Sequence, residues 1–343
     1  MKKNGIIELF RFLGIAFIMC DHFGQIGLGD LARPFTGTWV YVEFFLILSG
    51  FLTAKHFQNK MEDSNTISSY ISNGVNYTIK KYCKFLPYVF AAVLIEYAVR
   101  FGKYIIIGDF IGFFSKIQEM PFEMLLLSAA GTNGTLTFPL WFLSATFLVS
   151  PFICVISQIK NGQVKGIISF YPAVFYYLNR INSIGNHDYP NQIIRALCGM
   201  LLGVFVFVIT DDIAKRSIRK VTRIIFTICL VSSICILLFI NFRGICFTST
   251  YLLCFICIIM LSFCEKTYMR SCTHPFIMYL GKLSMPMFIW HWPVAHLLVL
   301  LIPKDQIAVR IVAFYFVTLL ISILSMYMVN TVTKRIKASN CRN

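Results

Sequence analysis

Apolar runs of about 20 residues, separated by short polar and basic segments, recur along this chain from residue 6 to residue 330. A bilayer core needs roughly 20 apolar residues per helical crossing. Ten runs can be read this way: 6–24, 39–57, 86–107, 138–158, 164–179, 193–210, 222–241, 245–263, 276–301 and 307–330. The expected fold is therefore an all-α integral membrane protein. A single bundle of about ten transmembrane helices would occupy 1–333, followed by a short basic tail at 334–343. Composition points the same way. Hydrophobic residues make up 57% of the chain and charged residues 13%, against about a quarter charged in soluble domains. The stretch 110–130 is only semi-apolar and contains Pro121, so it is expected to lie at the outer interface or to form a re-entrant helix.

The net charge is +16. Its basic residues sit in short clusters between apolar runs rather than in a stripe with exposed aromatics, so no nucleic-acid partner is expected. With the N-terminus inside, and with Lys55, Arg100, Lys103, Lys165, Arg223 and Lys282 counted with the segments adjoining their spans, 21 Lys and Arg fall on the cytoplasmic side, seven on the outer side and three within spans. That bias places both termini in the cytoplasm. The twelve cysteines are scattered, mostly within apolar runs. No His or Cys pairs stand at zinc-site spacing in a loop, so no metal centre is expected. The first run carries a charge near its middle and has no small-residue cleavage site, so it is expected to remain as a span rather than act as a cleaved signal.

That first run is apolar except for Glu8, Arg11, Asp21 and His22. Arg11 and His22 are eleven positions apart, about three helical turns, so both lie on one face roughly 16 Å apart. Ionisable groups within a span are costly and usually face the protein interior or a water-filled cavity. Glu8 stands where it can pair with Arg11. Arg11 could otherwise snorkel to headgroups, and His22 could merely end the helix.

An Arg and a His separated by ten residues on the first helix resemble the signature of the membrane acyltransferase-3 family. The resemblance extends along most of the chain. Val42 to Leu52 resembles the family's second-helix motif, with Glu43 where Asp is frequent, and Lys84-Phe85-Leu86-Pro87 its basic entry to the third helix. Leu140-Trp141-Phe142-Leu143-Ser144 resembles a Trp-Phe-Leu motif. Arg195-Ala196-Leu197, with Gly199 and Gly203, is similar to a later Arg/Gly helix. Ser284 to Pro293 resembles a late His-x-Pro helix carrying His291.

The resemblance implies a multi-pass enzyme, in the bacterial cytoplasmic membrane, that acylates surface sugars. It implies His22, Arg11 and Glu43 as catalytic residues and Trp141, Arg195, His291 and Asp21 as substrate contacts. Arg11, Lys81 and Lys84 would hold an acyl-CoA donor, acetyl-CoA above all, with no permanently bound cofactor. Lipid and a carbohydrate acceptor are the implied partners. From the residues themselves, Glu43 could pair with Arg11 or Arg195, or orient a catalytic His. Trp141 could be an interfacial aromatic, and His291 a satisfied core histidine. A transporter, or a binding partner for lipid-linked sugars, is the rival class. No internal repeat or pair of broken helices favours the transporter.

Overall fold

A computed structural model describes residues 5–29, 38, 40–58, 66–130, 135–179, 191–215, 228 and 274–340. Most of the described residues are helical, with no strand among them. The helices are α1 (Gly5–Asp21), α2 (Val40–Gln58), α3 (Ile67–Ile107), α4 (Phe110–Ile117), α5 (Met120–Met124), α6 (Leu140–Ser157), α7 (Gly162–Asn179), α8 (Asn191–Lys215), α9 (Pro275–Leu301) and α10 (Ile307–Asn340).

Four membrane crossings, rather than ten, are supported by length and apolarity among the described residues. They are Leu140–Ser157, Gln192–Asp212, Pro275–Leu301 and Ile307–Arg335. The shortfall has physical causes. Helix α1 is only 17 residues long. Helix α2 carries Glu43, Lys55 and His56, and α7 begins Gly-Gln-Val-Lys. Helix α3 runs for 41 residues with a polar first half. The expected spans 222–241 and 245–263 lie outside the described residues, apart from Ile228. The 110–130 stretch forms two short helices, α4 and α5, and then a 3-10 turn at Ser128–Ala130. Apolar Phe110, Ile111, Phe114 and Phe122 are exposed there.

Two seams organise the interior. In the first, α1 lies along α9. Gly281 leaves no room for a side chain against Glu8, while His22 meets His291 further along, so the two helices run in the same direction. In the second, α2 lies against α8. A Cβ on Gly50 would collide with the Met200 carbonyl, and one on Gly203 with the Ile47 carbonyl. Small residues at these points let the backbones touch. Ile15, Met19, Leu46, Ile47, Met200 and Phe314 are fully buried at the centre.

Candidate active site

Helix α1 ends at Asp21, and His22 opens a 3-10 segment, His22–Ile26. Gly27, at φ 78°, closes it. This terminus is fastened from the far end of the chain. Arg310 of α10 donates to the Ile26 carbonyl at 2.6 Å and to the Ile302 carbonyl at 3.1 Å. A Cβ on Gly27 would lie 2.7 Å from that guanidinium, so glycine serves both the left-handed turn and the close approach.

His22, half-buried, stacks on His291 of α9 with ring centroids 5.2 Å apart and planes 22° from parallel. The indole of Trp292 meets His22 edge-on at 5.3 Å. His291 is fully buried. Its Nδ1 lies 2.7 Å from the Phe288 carbonyl oxygen. A carbonyl only accepts, so Nδ1 carries the hydrogen and Nε2 holds the lone pair of the neutral ring. Nε2 is buried with no hydrogen-bond partner among the described residues. A satisfied core histidine would have both nitrogens engaged; this one presents a bare acceptor beside His22.

Glu43 is fully buried on α2 and pairs with Arg195 of α8 through Oε1. Of the possible partners, the structure selects Arg195 rather than Arg11 or a histidine. The carboxylate's other oxygen, Oε2, is buried without a partner among the described residues. Arg195 also lies over the ring of Trp141 at 5.2 Å. Trp141 is only 6% exposed, so one indole face is occupied and the ring is not an interfacial aromatic. An aromatic series runs from this group towards the histidines: Trp141 meets Phe142, Phe142 meets Phe288, and Phe288 meets His291 at 5.8 Å.

At the start of α1, Arg11 donates to Glu8 at 3.1 Å. Lys81 of α3 lies on this side, outside the apolar run that begins at residue 86. Its ammonium is pushed down to about 8, chiefly by loss of hydration, with Arg11 and Lys84 adding to the effect and Cys154 opposing it. Lys84 is exposed. Asp21 is half-buried at the opposite end of α1, next to His22 in the chain.

The site residues expected from the sequence thus form three groups: His22 with His291; Glu43 with Arg195 and Trp141; and Arg11 with Lys81 and Lys84. Sequence reasoning passed over Trp292, His296, Glu96, Arg100 and Glu123. The signal for two of them was present, since Glu96 and Arg100 stand four apart within an apolar run.

A family model described as an acyltransferase domain, that of the acyltransferase-3 family, matches residues 4–327. No curated protein and no solved structure matches the chain. The match takes in every helix that carries the three groups, and the chain belongs to the acyltransferase-3 family of membrane proteins.

Proposed function

We propose that this membrane acyltransferase moves an acetyl group from acetyl-CoA to a hydroxyl of a cell-surface or exported carbohydrate. The observation that carries the reading is the stacked His22–His291 pair, with one bare ring nitrogen, at the opposite end of α1 from Arg11 and Lys81. Acyl transfer needs a base for the alcohol, a hold on the donor and alignment of the two. The donor's phosphates would engage Arg11, Lys81 and Lys84 from the cytoplasm; a guanidinium binds phosphate oxygens bidentately. The pantetheine arm would lie along α1 and bring the thioester to His22.

There His22 takes the proton from the acceptor hydroxyl. The oxygen attacks the thioester carbonyl, the carbon–sulfur bond breaks, and the imidazolium returns its proton to the thiolate. Ester and free CoA leave with no net proton change. Arg195, Trp141, His291 and Asp21 would contact the acceptor. Both termini would be cytoplasmic, in a bacterial cytoplasmic membrane.

The test is purified protein in lipid nanodiscs with radiolabelled acetyl-CoA and extracted surface glycan. A base-labile ester on the glycan is the expected product. Passage of intact sugar across a sealed vesicle with no ester formed would favour a transporter and end this reading.

A further inference from the structure

Beyond the three groups above, α3 and α9 share a second ionisable cluster, one turn past the histidine pair. Glu96 is fully buried. Its Oε1 accepts from Arg100 Nε at 2.9 Å and its Oε2 from His296 Nδ1 at 3.1 Å. Arg100 Nη2 in turn lies 2.9 Å from His296 Nε2. A guanidinium only donates, so Nε2 accepts and the proton sits on Nδ1, facing the carboxylate. The ring of His296 is therefore held from both sides and cannot rotate without breaking a bond at each nitrogen.

This fixed ring meets the indole of Trp292 edge-on, 5.1 Å between centroids. Trp292 is pinned at another point as well. Its Nε1 donates to the Leu136 carbonyl at 2.8 Å, and the Leu136 amide donates to the buried carboxylate of Glu123 at 2.7 Å. The indole also meets Phe138 at 5.9 Å and both rings of the histidine pair, His291 at 6.4 Å and His22 edge-on at 5.3 Å. We propose that Glu96, Arg100 and His296 are positioning residues that act through Trp292: they fix the indole, and the indole holds the ring of His22 against His291. The proposal rests on the reading of His22 as the base.

The backbone explains why such a device is needed. Pro286 and Pro293 lie inside α9. Each lacks an N–H and removes a helical hydrogen bond, leaving the segment that carries His291 and Trp292 free to bend. Side-chain bonds to α3 and to the 136–137 segment supply the rigidity that the helix lacks. A fully buried carboxylate with two partly buried ionisable partners would be a poor choice for packing alone, since apolar residues of similar volume are often as stable or more so.

The experiment uses the full chain in nanodiscs with two conservative variants. Trp292→Phe removes the Nε1 bond, and Glu96→Gln removes the charge that orients His296. Two quantities are measured per folded molecule: the rate at which diethyl pyrocarbonate modifies His22, read by mass spectrometry, and kcat and KM for acetyl-CoA. Modification of His22 should quicken several-fold in both variants. The kcat should fall about tenfold to a hundredfold, the usual effect of displacing a reacting group by about 1 Å, with KM within about twofold. Wild-type modification rates in both variants would overturn the proposal, as would a kcat that falls only with the amount of folded protein. If even the wild type makes no ester, the functional reading fails, while the modification rates still decide whether the network positions His22.

Discussion

The α1–α9 seam and the α2–α8 seam each bury polar groups that stand out in the sequence, and they treat them differently. Between α2 and α8, a negative and a positive group face each other as Glu43 and Arg195, and glycines bring the backbones into contact around them. Between α1 and α9, two imidazoles face each other, and His291 is held through Nδ1 by the Phe288 carbonyl while its Nε2 has no partner among the described residues. A charge pair that neutralises itself holds helices together. An imidazole pair with a bare nitrogen can take up a proton. Buried polarity alone separates neither role from the other; the partner does.

The sharpest way to break the comparison is at His22. His22→Ala should lower turnover by about two to four orders of magnitude, the usual worth of a general base. His22→Gln should do no better, because an amide hydrogen-bonds without accepting the proton. Folded yield should be unchanged for both. Acyl transfer per folded molecule checks this. Near-wild-type activity in the Gln variant would move the base to His291.

At the other seam the loss should be of stability. Arg195→Ala leaves the fully buried Glu43 carboxylate without its partner, a cost of about 3–5 kcal/mol. The variant should show a lowered thermal midpoint and reduced folded yield. Adding Glu43→Gln should recover much of that loss, since the uncompensated charge is then gone. If Arg195→Ala is as stable as wild type, the pair does not hold the helices together, and the contrast between the seams collapses.

How far the sequence revealed these two seams depends on the kind of interaction. Arg11, His22, Glu43, Arg195 and His291 were all legible, because an ionisable residue in an apolar run stands out. The pairing of Glu43 with Arg195 was legible only as one option among several, since it spans 152 positions. Trp292 was hidden for a different reason. A tryptophan beside a membrane histidine looks like apolar filling until its Nε1 bond and its three edge-on imidazoles are placed. The number of crossings was over-read for α1, which is 17 residues long, and for α2, α3 and α7, where charge or polar ends lower the apolarity of helices that still pack within the bundle.

The basic end of α1 offers a smaller effect. Arg11→Lys keeps the charge but loses the two-pronged grip on phosphate. It should raise KM for acetyl-CoA about tenfold, equivalent to ~1.4 kcal/mol, with kcat little changed. Unaltered kinetics would make Arg11 a structural partner of Glu8 and liken this end of α1 to the α2–α8 seam.

The smallest effect is a pH dependence carried by Lys81. Its ammonium is held down to about 8 from an ordinary value of 10.5. Below pH 8 it is charged and can attract the donor's phosphates; above pH 8 it is neutral and cannot. KM for acetyl-CoA should therefore rise several-fold between pH 7 and pH 9, a change of about 1 kcal/mol for one charge-assisted contact. Stability should move the opposite way. Between pH 8 and 10.5 the unfolded chain binds more protons at this lysine than the folded one, so stability rises with pH through that window. Weaker donor binding and firmer folding over adjoining pH ranges are hard to obtain from general damage. Lys81→Met should flatten both trends, with KM fixed near the wild type's high-pH value. A Met variant that keeps the same KM profile would place the titrating group elsewhere and remove Lys81 from the donor site.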